Sequence, residues 1–265
     1  MTDMEPTDPN TPETERRDRT SFYTHAAKYW SAVPATVDGM LGGFGIISQT
    51  DIQGSVSFLK QLFKLQNPPG HERALDCGAG IGRITKYLLL RFFNKVDLVE
   101  QNASFLEEAK NFIGICQKVG SLYCVGLQDF SPEPKTYDLI WCQWVLGHLT
   151  DEDLIDFLKS CKRGLKPNGI IVVKENLTSS DKVEVDKEDS SVTRPITLLR
   201  ILLKQAGLHC IKEQKQNNFP RGLYTVKMFA LVPDIISTAT NSNDNSYTTK
   251  LSVTSGDNGH TSPVG

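Results

Sequence analysis

Long apolar runs, secretion signals and paired cysteines are all missing from this chain. No stretch approaches the roughly 18 consecutive apolar residues of a membrane-spanning helix, so we expect no membrane association. The first residues, 1–5, lack the apolar core of a secretory signal. None of the six cysteines stands in a Cys-x-x-Cys pair, which predicts a reduced intracellular compartment and no bound metal.

A large excess of charge of either sign is also missing. Lys and Arg number 29 and Asp and Glu 31, which gives a formal net charge of −2, and the two signs are interspersed. Surfaces that bind nucleic acid usually carry a positive stripe, so direct binding of nucleic acid is not expected.

Apolar side chains are scarce at both ends of the chain. Residues 1–19 are rich in Thr, Pro, Asp, Glu and Arg, and residues 234–265 are mostly Ser, Thr, Asn, Gly and Asp. Segments with so little to bury do not offset the entropy lost on ordering, so both are predicted to be disordered tails. The folded domain is therefore expected over 20–233.

Within the domain, short apolar strands alternate with amphipathic helices. Strands are predicted at 73–77, 95–100, 122–125, 137–142 and 169–174, with helices at 81–90, 104–113, from Thr150 and near 196–205. Such units with short connections predict right-handed crossovers and a parallel sheet. The fold class is α/β, a three-layer sandwich.

Two helices are expected before the first strand. One has apolar residues at helical spacing from Phe22 to Trp30, and the other opens at the capping box Thr50-x-x-Gln53. Between them, residues 37–45 carry four glycines among apolar residues. That composition predicts a mobile segment rather than a packed element.

A glycine-rich turn, Asp76-Cys77-Gly78-Ala79-Gly80-Ile81-Gly82-Arg83, follows the first strand and opens a helix. Glycines allow a close approach of the backbone, and helix N–H groups point at the ligand. The spacing differs from the dinucleotide fingerprint, and the Lys-Ser/Thr ending of a P-loop is absent. Glu100, at the end of the second strand, is placed to accept hydrogen bonds from ribose hydroxyls. Together these features predict a nucleoside cofactor site.

This combination resembles the class I, Rossmann-like S-adenosylmethionine methyltransferases. The resemblance implies a seven-stranded, mostly parallel sheet that ends in an antiparallel hairpin, which suits the β segments at 208–214 and 223–232. It also implies S-adenosyl-L-methionine as cofactor and S-adenosyl-L-homocysteine as product. The Asn/Asp-Pro-Pro-aromatic motif of methyltransferases acting on adenine or glutamine is missing after the fourth strand, and Asn67-Pro68-Pro69-Gly70 is interpreted as a loop.

Five segments further resemble the protein N-terminal methyltransferases that act on Xaa-Pro-Lys termini. They are Tyr29-Trp30, Asp38-Gly39-Met40-Leu41-Gly42-Gly43, residues 76–83, residues 143–151 (Gln-Trp-Val-Leu-Gly-His-Leu-Thr-Asp), and Lys174-Glu175-Asn176 with Asp189-Ser190-Ser191-Val192. The resemblance covers 20–233 and excludes both tails. It implies methyl transfer to the free α-amino group of protein N-termini.

Site residues follow from this resemblance position by position. The implied cofactor set is Gly78, Arg83, Glu100, Gln101, Asn102, Leu127, Gln128 and Gln143. The implied peptide-binding set is Trp30, Leu41, Trp144, Asn176, Asp186, Ser191 and Tyr224, and the implied catalytic pair is Asp189 and His148. Glu100 stands where the family more usually has Asp, and Gln101-Asn102 also differ, but a carboxylate is kept for the ribose.

Several readings stay open. Without the family, His148 is more often a packing histidine, Trp144 a core residue and Asp186 a solvated carboxylate. The rival functions are methylation of a small molecule or nucleic acid, and a catalytically silent module that only binds the cofactor. Family substrates include chromatin-associated proteins, so we expect the partners to be N-terminal segments of proteins and the location to be nucleus and cytoplasm.

Overall fold

The computed structural model describes residues 13–234. Residues 1–12 and 235–265, which hold most of both predicted tails, lie outside the described residues. The first helix begins at Glu13, so the domain boundary expected at residue 20 falls inside a helix. No helix among the described residues combines the length and apolar character needed to cross a membrane.

The described elements alternate as the sequence predicts. The helices are α1 (Glu13–Ala32), α2 (Val37–Met40), α3 (Ser48–Leu62), α4 (Arg83–Tyr87), α5 (Ala103–Ile113), α6 (Asp151–Gly164) and α7 (Ile196–Gln205). The strands are β1 (Arg73–Cys77), β2 (Lys95–Glu100), β3 (Val119–Cys124), β4 (Tyr137–Gln143), β5 (Leu165–Leu177), β6 (Glu184–Asp186), β7 (Ser191–Thr193), β8 (Leu208–Lys215) and β9 (Thr225–Pro233).

Seven strands form one sheet in the order β3-β2-β1-β4-β5-β9-β8, and β6 and β7 form a separate hairpin. The first five strands of that order run parallel, and β9 is antiparallel to both β5 and β8. The predicted seven-stranded sheet with its C-terminal antiparallel pair is therefore confirmed. The order reverses between β1 and β4, which opens a crevice at the carboxyl ends of these strands.

Apolar cores on both faces hold the central strands in place. Every residue of β4 is buried: Ile140 and Cys142 belong to the core beneath α6 and α7, and Leu139 and Trp141 to the core beneath α3 and α4. Burying one large apolar side chain contributes about 1.5–3 kcal/mol. This two-sided burial sets the positions at which β1 and β4 end, and so where the site begins.

The segment at 37–45, predicted to be mobile, contains the short helix α2, although most of its side chains are partly or fully exposed. Thr36 caps α2 by accepting a hydrogen bond from the Gly39 amide at 3.0 Å, and the Asp38 carboxylate accepts one from the Gly45 amide at 2.9 Å. Leu41 is buried. Side-chain hydrogen bonds to the backbone thus order a segment whose glycines alone favoured mobility.

Two helix boundaries were predicted wrongly. Helix α3 begins at Ser48, so Thr50 lies inside it and does not cap it, because a 3-10 turn at Gly45–Ile47 leads directly into the helix. The helix after the glycine turn, expected at 81–90, is only Arg83–Tyr87, and a 3-10 turn at Leu89–Arg91 follows it.

Helix α1 is attached to the domain through Asp153 in the first turn of α6. The Asp153 carboxylate accepts hydrogen bonds from Arg19 at 2.8 and 2.9 Å and from the hydroxyls of Tyr23 and Thr150. Burial disfavours the ionised carboxylate, but the bonds from Arg19 and Tyr23 outweigh it and lower the pKa of Asp153. This contact holds the helix that carries Trp30.

We expect Asp153→Asn to lower the free energy of unfolding by about 1–2 kcal/mol near neutral pH, as judged by urea denaturation, because charge-assisted hydrogen bonds are lost. Since the folded-state pKa lies below 3.8, this contribution is fully present above pH 3.8 and is lost as the pH falls through the folded pKa. The control is Asp156→Asn, an exposed carboxylate on the same helix, paired with Lys159, which should change stability by less than about 0.5 kcal/mol. Equal losses for both variants would contradict the role of Asp153.

Candidate functional site

The glycine turn at the end of β1 is tight enough to require glycine. Gly78 and Gly80 have φ angles of +67° and +54°, in the left-handed region. A Cβ added to Gly78 would lie 2.4 Å from a methyl carbon of Val145, and one added to Gly80 would lie 2.6 Å from the sulfur of Met40. The turn therefore allows the backbone, without side chains, to face the crevice between β1 and β4.

A pocket opens above this turn, which we call the nucleoside pocket. Seven of the eight residues expected to bind the cofactor line it: Gly78, Arg83, Glu100, Gln101, Leu127, Gln128 and Gln143. The eighth, Asn102, does not. Its side chain accepts a hydrogen bond from the Ser104 amide at 3.0 Å, which caps α5, and donates one to the Trp30 carbonyl at 3.3 Å. The side chain of Asn102 therefore joins the start of α5 to α1.

Glu100 joins the glycine turn to the end of β2. Its carboxylate accepts hydrogen bonds from the amides of Gly80 at 3.0 Å and Asn102 at 2.9 Å. Burial raises the pKa of Glu100, and these amides partly counter that rise. The carboxylate keeps free lone pairs, as the ribose hydroxyls of a nucleoside require.

The donor set of the nucleoside pocket fits S-adenosylmethionine. Among the described residues that line it, Arg83 is the one permanent cation and Glu100 the one carboxylate. The cofactor has a carboxylate on its methionine portion and two hydroxyls on its ribose, so these charges suit its two ends. Leu127 is buried against the wall, where an adenine ring needs an apolar contact.

A second cavity, which we call the outer cavity, lies between α2, β5, β9 and the β6–β7 hairpin. It brings together every residue expected to bind peptide, with the expected catalytic pair: Trp30, Leu41, Trp144, Asn176, Asp186, Ser191, Tyr224, His148 and Asp189. Trp30, Met40, Trp144 and His148 also line the nucleoside pocket. We call these four residues the shared wall, because they line both cavities.

His148 is an uncharged hydrogen-bond acceptor in this wall. Its Nε2 accepts a hydrogen bond from the indole N–H of Trp30 at 3.0 Å, which assigns the ring proton to Nδ1. Burial lowers the pKa of His148 below its ordinary value, and the charges of Asp189 and Asp186 only partly counter this. The ring is therefore uncharged at neutral pH.

Asp189 reaches the same point from the hairpin turn. One of its carboxylate oxygens accepts a hydrogen bond from the Ser191 amide at 2.9 Å, and the other lies 4.0 Å from Nε2 of His148. The next residue, Ser190, has a φ of +53°, which turns the chain sharply into β7. The tight hairpin thus presents a carboxylate beside the histidine.

Trp144 adopts a backbone conformation that is unusual for its type, with a φ of +52°. Its amide donates to the Lys174 carbonyl at 3.0 Å, and the Glu175 carboxylate accepts from the next two amides, those of Val145 and Leu146, both at 2.9 Å. Burial raises the pKa of Glu175 to about 7. In the described part of the chain, the indole N–H of Trp144 and Nδ1 of His148 are buried without a partner.

Sequence reasoning missed several residues that shape the site. Met40 and Glu175 were quoted within matching segments but given no role. Asp51 was not singled out at all, although its buried carboxylate contacts Arg83. A charged residue among the apolar positions of α3 was the available signal. Among the described residues, no cluster of His, Cys, Asp or Glu suits a metal ion.

The hydrogen bond between Trp30 and His148 leads to a pH prediction. The indole N–H occupies the lone pair that a proton would take, so Trp30→Phe should raise the pKa of His148 above its wild-type value. In the wild type, His148 should titrate below 6.5, the ordinary histidine value. An NMR titration of the histidine rings measures both, and the other four histidines serve as internal controls. An unchanged or lower pKa in the variant would contradict this assignment.

The comparisons with known proteins agree with this geometry. A family model described as AdoMet dependent proline di-methyltransferase matches residues 18–232. N-terminal Xaa-Pro-Lys N-methyltransferase 1 of Xenopus tropicalis is 54% identical over 217 residues, which cover 81% of this chain and 96% of that protein. Alpha N-terminal protein methyltransferase 1 of Drosophila melanogaster is 51% identical over 216 residues, which cover 80% and 76%.

A solved structure is also similar to this chain. A SAM-dependent methyltransferase from Leishmania major has 43% identity and a TM-score of 0.75, and the match covers 79% of this chain and 82% of that one. These matches span nearly the whole folded domain and confirm the resemblance seen in the five segments. The chain belongs to the AdoMet dependent proline di-methyltransferase family and is an S-adenosylmethionine-dependent methyltransferase.

Proposed function

We propose that this enzyme transfers methyl groups to the free α-amino group of protein N-termini of the Xaa-Pro-Lys type. The observation that carries the proposal is the shared wall, where a nucleoside pocket and a peptide-sized outer cavity meet beside His148 and Asp189. The names of the relatives from Xenopus tropicalis and Drosophila melanogaster support the same substrate.

For this reaction the protein has to remove a proton from the α-amine and to position the amine for methyl transfer. S-adenosylmethionine, when bound, supplies an activated methyl group. An α-amine has a pKa of about 8, far below that of lysine, so a modest base frees its lone pair. Neutral His148, with Asp189 beside it, takes that proton. For Nε2 to accept it, the indole N–H of Trp30 must give up its hydrogen bond to that atom.

The lining of the outer cavity suits a proline followed by a cation. Trp30 and Trp144 offer aromatic faces for apolar contact with a proline ring and for attraction of the cationic terminus. Asp186 and Glu184 add carboxylates on the hairpin side of the same cavity. These charges attract a lysine side chain at the third position of a substrate.

The same carboxylates weigh against one rival function. A nucleic acid would bring phosphates close to Glu184, Asp186 and Asp189, and like charges repel. A silent cofactor-binding module needs no base in its shared wall, whereas His148 of this wall lies 4.0 Å from Asp189. The arrangement therefore favours an enzyme that acts on a cationic N-terminus.

We infer the binding partners and the cellular location from the family resemblance. The partners would be N-terminal segments of proteins, including chromatin-associated ones, and the enzyme would be present in both nucleus and cytoplasm. Fluorescence imaging of the tagged full-length chain in cells measures the distribution.

Mass spectrometry of two peptides tests the proposed reaction. A Ser-Pro-Lys-Arg peptide with a free N-terminus should gain mass in methyl steps when incubated with enzyme and S-adenosylmethionine, because its α-amine is available. Its N-acetylated twin should gain nothing. Methylation of both peptides would place the reaction on lysine, and no gain on either, with cofactor binding intact, would favour another substrate or the silent module.

Asp189→Asn tests the proposed catalytic pair. Loss of this carboxylate should lower kcat by about 100-fold or more, since general bases typically contribute this much. The dissociation constant of S-adenosylhomocysteine should stay within about twofold, because Asp189 does not line the nucleoside pocket. Glu188→Gln is the matched control: it removes an adjacent exposed carboxylate outside both cavities, and kcat should be unchanged. Equal losses of kcat and cofactor affinity in Asp189→Asn would refute the assignment.

A further inference from the structure

We propose that Asp51 and Lys174 form a buried positioning pair that orients Arg83 toward the carboxylate on the methionine portion of the cofactor. Neither Asp51 nor Lys174 lines the nucleoside pocket, so both act through Arg83. The inference concerns the cofactor site and does not depend on the proposed peptide substrate.

Asp51 is the centre of the arrangement. It lies on α3 with its side chain fully buried, and one of its carboxylate oxygens accepts a hydrogen bond from Nη1 of Arg83 at 2.7 Å. The other oxygen lies 2.5 Å from the ammonium nitrogen of Lys174. A fully buried carboxylate between two cations is held in a single geometry, because any displacement leaves a buried charge unpaired.

Lys174 is itself held from several directions. Its ammonium group donates to the Asp51 carbonyl at 3.1 Å, to the hydroxyl of Ser55 at 2.9 Å and to the side-chain oxygen of Gln216 at 2.8 Å. These partners come from α3 and from the loop after β8, while Lys174 belongs to β5. The pair thus ties three distant segments together beneath Arg83.

Gln143 also belongs to this arrangement. Its amide nitrogen donates to both oxygens of Asp51 at 2.9 and 3.0 Å, and its oxygen accepts from the indole N–H of Trp141 at 3.0 Å. With both ends of the amide engaged, Gln143 steadies Asp51.

The charges of the cluster favour an anionic group, such as a carboxylate, in the nucleoside pocket. Arg83 and Lys174 carry two positive charges, and Asp51 supplies one negative charge, so the hydrogen-bonded cluster has an excess positive charge in a poorly solvated place. Asp51 holds Nη1 of Arg83, which leaves the remaining guanidinium N–H groups for a ligand. A carboxylate in the nucleoside pocket completes the pairing, and a ligand without one does not.

The test compares two ligands that differ in the methionine portion. S-adenosylhomocysteine has the amino-acid carboxylate, and 5′-methylthioadenosine has the same nucleoside without it. By isothermal titration calorimetry, Asp51→Asn should weaken binding of S-adenosylhomocysteine by about tenfold or more, since a charge-assisted contact is misplaced. Binding of 5′-methylthioadenosine should change by less than about twofold, because the nucleoside contacts are kept.

Asp97→Asn is the matched control. Asp97 is another fully buried carboxylate that accepts a hydrogen bond from an arginine, Arg73, at 2.7 Å, but it lies on β2 outside the nucleoside pocket. Its loss should leave the ratio of the two affinities unchanged. In an Arg83→Met background, Asp51→Asn should have no further effect on that ratio, because the group it orients is gone.

A second variant tests the proposal if Asp51→Asn fails to fold. Asp51→Asn combined with Lys174→Met removes both members of the buried pair, which proteins tolerate better than the loss of one. The double variant should bind 5′-methylthioadenosine normally and S-adenosylhomocysteine weakly. Equal weakening of both ligands, or wild-type affinity for S-adenosylhomocysteine, in the variant that folds would overturn the proposal.

Discussion

The burial of β1 and β4 on both faces is the constraint on which the site depends. These strands are neighbours in the sheet, with Cys77 paired to Cys142, and the chain leaves them toward opposite sides. The glycine turn and the segment from Gln143 to His148 must therefore start side by side. Because neither strand can shift without exposing apolar side chains, both halves of the site are built on a rigid edge.

The two cavities differ in the charge of the residues that surround them. Positive charge is concentrated under the nucleoside pocket, where Arg83 is backed by Lys174, and one carboxylate, Glu100, faces the ribose end. The outer cavity is lined instead by four acidic residues, Glu175, Glu184, Asp186 and Asp189, and by one lysine, Lys187. A carboxylate group and a cationic group are thus favoured on different sides of the shared wall.

Contacts between distant segments complete that wall. Trp30 comes from α1, which Asp153 of α6 attaches to the domain, and Asp189 comes from a hairpin inserted between β5 and α7. Neither segment belongs to the seven-stranded sheet. The sheet therefore provides most of the nucleoside pocket, and the added elements bring Trp30 and Asp189 next to His148, which follows β4.

The sequence by itself determined the alternation of strands and helices, the glycine turn and the role of Thr150 as a helix cap, because each depends on residues close together in the chain. Likeness to a family supplied the list of site residues. Only the tertiary structure decided that the side chain of Asn102 contacts Trp30, that Leu41 is buried, and that Asp51 holds Arg83. Those outcomes depend on burial and on partners tens of residues away, and periodicity carries no information about either.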